Sequence, residues 1–222
     1  MKIRGKNITF HSDKVDFDVM RPFPASRFVP EWYRTMPGVI DRVETVKKCI
    51  PVLDSLTLGY IIPVPADVSY EPDSKQIISN ASFMLNSDHV PSQTQDVALP
   101  PEFDPQPHKW INSWHVKTPK GYSTLFVHPL NRLDLPFHSF SGVVDTDKHP
   151  IVINFPFVIR KDFSGIIPAG TPMIQAIPFK RDTWDSKIID ENSSYSYEFG
   201  NANQDAPLAW YKRNVWNKKT YR

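Results

Sequence analysis

The sequence predicts an all-β protein, a distorted barrel or sandwich with extended arms at both ends. Short runs rich in β-branched and aromatic residues recur between Thr45 and Phe179, each bounded by Pro, Gly, Asp or Asn. Proline occurs 22 times against eight glycines. Proline interrupts helices but is tolerated at sheet edges, bulges and loop starts, so long helices are not expected. At 222 residues the chain suits one core, since barrels and sandwiches of this size form single units.

Three segments follow from the pattern. Residues 1–44 form an N-terminal arm in which Pro22, Pro24, Pro30 and Pro37 alternate with Phe23, Phe28, Trp32 and Tyr33. Proline fixes extended backbone at low entropic cost and the aromatics offer large buried area, which predicts packing on the protein's own domain or on a neighbouring subunit. Only Pro30 to Met36 has the form of a short helix, with proline at its start. Residues 45–181 form the core, with strands predicted over residues 46–52, 57–64, 76–84, 114–118, 122–127, 143–144, 151–159, 165–167 and 172–179. The polar, proline-bearing stretch 86–109 reads as a long loop. Residues 182–222 form a C-terminal arm, too aromatic for a free tail and basic at its end, with Lys212, Arg213, Lys218, Lys219 and Arg222.

Composition excludes several classes. Charged residues make up 23% and hydrophobic ones 40% of the chain, and no apolar run approaches the roughly 20 residues that span a bilayer. No membrane partner is expected, and a chain without a secretory signal region is assigned to the cytoplasm. A formal charge of +2 does not suggest a nucleic-acid partner for the whole protein. The single cysteine, Cys49, is expected as a buried thiol, with a thiolate activated by Lys47 and Lys48 as the alternative. Seven scattered histidines lack the short pairwise spacing of a zinc site, so no protein-bound metal is predicted.

Two short signals carry the candidate chemistry. Ser141-Gly142-Val-Val-Asp145 ends in an aspartate at a strand end, followed by Thr146 and Asp147, and Gly170-Thr-Pro-Met-Ile-Gln175 leads from a turn into a strand. Asp145 is open to two readings, a carboxylate facing a ligand pocket or an ordinary turn residue that accepts local backbone hydrogen bonds. Gln175 needs partners for its amide, from a ligand or from backbone.

These two signals resemble sequence blocks of the deoxyuridine triphosphatase and deoxycytidine triphosphate deaminase superfamily, a trimeric β-clip fold. The resemblance implies Asp145 as the catalytic carboxylate that orients a water toward the α-phosphorus, and Gln175 as a phosphate contact. The superfamily's Arg-Ser-Gly block is represented by Gly121-Tyr-Ser123, which lacks the arginine, and Arg132 is the candidate replacement. Gly59-Tyr60-Ile61 stands where a Gly-Tyr-Asp block is expected, leaving Tyr60 as its ligand contact. The deaminase glutamate and the glycine-rich lid have no counterpart, and magnesium would arrive only with a bound nucleotide. Thr45 to Pro51, Gly59 to Asp67, Pro129 to Arg132 and Val152 to Pro156 also resemble a family of tailed phages and some bacteria that brings no established activity.

The resemblances together imply a homotrimer with exchanged arms, acting without catalysis through ligand binding or assembly. The alternatives are a deoxynucleoside-triphosphate pyrophosphohydrolase and a virion component. Convergence of Asp145, Gln175 and Arg132 in one cleft would favour the enzyme, and their dispersal would favour assembly.

Overall fold

The computed structural model describes residues 6–12, 21–74, 76–79, 97–188 and 207–222. In chain order the strands are β1 (Thr9–His11), β2 (Phe23–Pro24), β3 (Val39–Ile40), β4 (Val43–Glu44), β5 (Tyr60–Pro63), β6 (Val68–Glu71), β7 (Gln76–Ser79) and β8 (His108–Trp110). They continue with β9 (His115–Lys117), β10 (Tyr122–Val127), β11 (Phe137–Ser139), β12 (Gly142–Val144), β13 (Phe155–Ile159), β14 (Gly165–Ile167) and β15 (Pro172–Lys180). Three short helices accompany them: α1 (Glu31–Thr35), α2 (Ile50–Thr57) and α3 (Pro207–Asn214). The regular structure of the described residues is therefore mostly β, in several antiparallel sheets with few helices.

The central sheet has the order β12-β10-β15-β5-β2. Its middle strand, β15, runs Pro-Met-Ile-Gln-Ala-Ile-Pro-Phe-Lys; β5 pairs with its first half and β10 from Gln175 onward, and its first five residues are buried, with Met173, Ile174 and Ala176 in the core. The five-residue β13, itself apolar, centres a second sheet of order β11-β13-β8, and β14-β6-β7 forms a third. The core lies where the three sheets face one another. Trp110 stacks on Phe157 with ring centroids 3.7 Å apart and planes 8° from parallel, and Phe137 meets both edge-on. Phe126 of β10 reaches Phe155 of β13 across the sheets at 5.2 Å. A polar tie runs through this apolar layer: Trp110 Nε1 donates to Ser139 Oγ, which donates to the Met173 carbonyl.

Several elements differ from expectation. Residues 46–52, expected as a strand, form a 3₁₀ turn and the start of α2. Pro51 sits in the first helical turn, where its missing N–H costs nothing, and Ile50 and Leu56 bury one face. The tail also contains a helix, α3, again opened by proline. The loop expected through residue 109 ends earlier, because His108 and Trp110 alternate into the core as β8. The stretch 151–159 becomes a strand only at Phe155. Cys49 is half-buried at the entry to α2, not a core thiol. The expected strand positions 80–84, the loop positions 86–96 and the aromatics Tyr195, Tyr197 and Phe199 lie outside the described residues.

Both terminal segments touch the sheet system. β1 pairs with β9 and β2 with β5, so the proline and aromatic segment packs on its own domain. The tail returns across α2: Trp216 Nε1 donates to both carboxylate oxygens of Asp54, and Lys219 Nζ lies 2.6 Å from Asp54 Oδ2. Tyr60 Oη donates to the Arg222 carbonyl at 3.2 Å.

Candidate functional site

Asp145 stands at the end of β12, where the chain turns. Its backbone carbonyl accepts the N–H groups of Lys148 and His149, each at 2.9 Å, so a tight turn carries the carboxylate outward. Beneath it, Thr146 is fully buried, and its hydroxyl lies 2.7 Å from that of Thr118 and 2.8 Å from that of Thr124. This row of hydroxyls pins the turn to β10.

Three side chains gather around Asp145. Ser123, facing it from β10, donates its hydroxyl to Asp145 Oδ1 at 2.6 Å. Arg181, one residue past β15, extends the ladder by donating its N–H to the Gly121 carbonyl, and its guanidinium lies 3.1 Å from Asp145 Oδ1. The same guanidinium forks onto both oxygens of Asp147 and also donates to Ser123 Oγ and the Tyr122 carbonyl. Asp147 receives the Gly121 N–H as well. The two carboxylates are unequal in exposure, at 52% for the Asp145 side chain and 3% for that of Asp147.

The electrostatics follow from those partners. The Ser123 hydroxyl, with Arg181 and Lys148 nearby, lowers the Asp145 carboxyl below its usual range. Arg181 and the Gly121 N–H hold Asp147 further below it, and the guanidinium is in turn raised. Both aspartates are therefore ionised at neutral pH. Asp145 can accept hydrogen bonds from water or ligand there, but it is a weak proton acceptor, and two carboxylates answer one guanidinium. The bidentate Arg181–Asp147 pair, held by four further bonds, is the arrangement of a structural clamp.

The other candidates lie elsewhere in the chain. Gln175 pairs in register with Val127, four residues along β10 from Ser123 and so about 13 Å away. Its Nε2 donates to the carbonyls of Ser55 and Leu58 at 3.0 and 2.6 Å, and its Oε1 accepts the Leu130 N–H at 2.9 Å. Those backbone partners tie α2 and the loop after β10 to the central sheet. Arg132 forks onto Asp134 with two bonds of 2.8 Å and reaches the Phe28 carbonyl. Tyr60 sits on β5 with its ring edge-on to Phe10 and Tyr221. Within one chain the structure brings together Asp145 and Ser123, and disperses Arg132, Gln175 and Tyr60.

Arg181 belongs to the cluster without having been singled out in the sequence, whereas Thr146 and Asp147 were named beside Asp145 but given no site role of their own. Asp147 and Thr146 adjoin Asp145, and their alternation was the available signal. Arg181 had none, because its role depends on the β10–β15 register.

Among the described residues no group of three or more His, Cys, Asp or Glu is placed to hold a metal ion, and no helix is long and apolar enough to cross a membrane.

Comparison with protein-family models, with characterised proteins and with solved structures finds no match for this chain.

Proposed function

We propose that the chain is a non-catalytic assembly protein of β-clip type, a homotrimer in which the stretch at residues 182–188 of each subunit docks on a neighbour. The observation that carries this reading is the stretch after the clamp, Asp182 to Ile188. Every residue in it is exposed, including Trp184 at 89% and Ile188 at 96%. Trp184 and Ile188 are an even number of residues apart, so in extended backbone both point to one side, with Asp185 and Lys187 on the other. A large aromatic and a large aliphatic group left in water forgo roughly 25 cal/mol per Å² of apolar area that docking would recover.

Partner surface is present in the same chain. β12 is an edge strand with Val143 exposed, and Ile151 and Val152 follow it. Ile166, Ser69 and Ile78 form a cross-strand row, and both isoleucines are exposed. The Arg181 clamp supports the non-catalytic part of the reading, since it occupies the cation that a triphosphate would need. The resemblance to phage and bacterial proteins makes a virion or a host-cell assembly the proposed setting.

Light scattering coupled to gel filtration tests the proposal. The natural chain is expected to elute as a trimer and a Trp184→Ser, Ile188→Ser double variant as a monomer with an unchanged melting temperature. A natural chain that is monomeric at micromolar concentration would sink it. Pyrophosphate release from deoxynucleoside triphosphates and magnesium, abolished by Asp145→Asn, would replace it with the hydrolase reading.

A further inference from the structure

A second feature borders the Asp145 clamp at Thr118 and Tyr122 and has a different chemistry. The residues before β1, the start of β10, β5 and the tail after Trp216 enclose two adjoining clefts of about 200 and 480 Å³, which share Lys6, Tyr60 and Thr220 in their walls. The larger is within the size range of small-ligand sites.

Their walls are positive and aromatic. Lys6 and Arg222 supply cations, and Tyr60, Tyr122 and Tyr221 supply rings and hydroxyls, with Asn7, Thr9 and Thr220 adding polar groups. Among the described residues, no aspartate or glutamate lines either cleft. The Lys6 ammonium lies against the Tyr122 hydroxyl, 4.2 Å from the centre of that ring. Cation and ring are thus presented side by side.

The walls are also braced. Tyr60 is held edge-on between Phe10 and Tyr221 at 5.5 and 5.8 Å, and its hydroxyl is bonded to the Arg222 backbone. Asp54 anchors the tail through Trp216 and Lys219, so the Tyr221 side of the cleft is fixed to α2. Such bracing reduces the ordering cost that a ligand would otherwise meet.

We propose that this cleft binds a planar ring carrying a phosphate, the ring against Tyr122 and Tyr221 and the phosphate toward Lys6 and Arg222. A phosphate suits two cations among neutral donors, and a flat ring suits tyrosine faces, which stack on any heteroaromatic base. A free nucleotide and a nucleotide unit within a single strand share this chemistry. The site is independent of the assembly proposal, because none of its residues belongs to the exposed stretch at 182–188.

Calorimetric titration of the full chain with thymidine monophosphate, with inorganic phosphate and with a twelve-nucleotide oligothymidylate tests the site and identifies the source. The expected result is binding by the monophosphate or by the oligonucleotide, weaker at raised salt, and tighter than binding by phosphate alone. Binding by the oligonucleotide alone would assign the cleft to single strands. Lys6→Ala and Tyr122→Leu are each expected to weaken binding about five-fold or more, whereas Leu133→Ser, in the exposed turn beyond the far end of β10, leaves it unchanged. Lys6 is exposed, so its variant serves where Tyr122→Leu impairs folding. No binding by any probe, or equal binding of phosphate and nucleotide with no effect of either cleft variant, overturns the proposal. Oligomeric state is read separately, so this failure is distinct from failure of the assembly reading.

Discussion

At the residue scale, two buried polar side chains, Gln175 and His128, are matched to backbone. Gln175 illustrates the cost of removing one. Gln175→Leu would strand the Leu130 N–H and the carbonyls of Ser55 and Leu58 without their present partner. A loss of about 2–4 kcal/mol is expected in urea unfolding, with the loop after β10 and the end of α2 loosened together. A loss near zero would mean that water replaces the amide. His128 makes the second case. Its ring accepts the Ser139 N–H, shares a hydrogen bond with the Arg132 carbonyl, and lies 4.4 Å from the His138 ring. Burial, opposed by the Arg132 carbonyl and aided by His138 and the Arg132 charge, lowers its pKa to about 4, while Asp134 pulls the other way. A histidine kept neutral by the fold contributes its full stability above the unfolded value near 6.5 and loses it as pH falls toward 4. Stability should therefore drop by about 3 kcal/mol across that window, and the slope should flatten in His128→Gln. Equal slopes in both proteins would assign the acid sensitivity to other groups. His138, also lowered by burial, adds in the same direction.

At the scale of elements, the central sheet depends on one close approach. Gly59 adopts φ of +68°, and a Cβ there would lie 2.2 Å from the Ala176 carbonyl oxygen on β15. Gly59→Ala is expected to cost about 3 kcal/mol or more, because backbone must move on both strands. Gly121, at φ of +85° with open space around its Cβ position, provides the comparison. Gly121→Ala meets only the conformational penalty of about 1–2 kcal/mol. Melting the two variants side by side separates steric clash from backbone strain, and equal losses would contradict this account. The same scale explains which elements were legible in the sequence. β10 and β15 were visible because their runs follow Gly121 and Gly170, whose positive φ turns the chain into each strand. α2 was not. Ile50 to Thr57 mixes β-branched and small polar residues, and its helical state comes from Pro51 in the first turn and from packing of Ile50 and Leu56. Two-residue strands such as β2 and β3 carry no periodicity long enough to read, and they exist through their partners.

For the whole molecule, the two ends of the described chain meet. The tail reaches α2 through Asp54 and reaches β5 through Tyr60, next to the segment that begins at Lys6. Asp54→Ala should release it, seen as faster amide exchange over residues 207–222 while amides of β13 and β15 keep their protection. Unchanged exchange in the tail would place its anchor elsewhere. The sequence by itself determined the β character and the single apolar core, because alternation, proline content and aromatic density are local properties that survive without knowledge of partners. It also located Asp145 and Ser123, the two site candidates that the fold places in contact. The tertiary structure alone decided that Arg181 clamps Asp145 and Asp147, that Gln175 spends its amide on backbone, and that Lys6 and Arg222 face one cleft. Each of these joins residues far apart in the chain, and such pairings are set by strand register and sheet order, which no local pattern encodes.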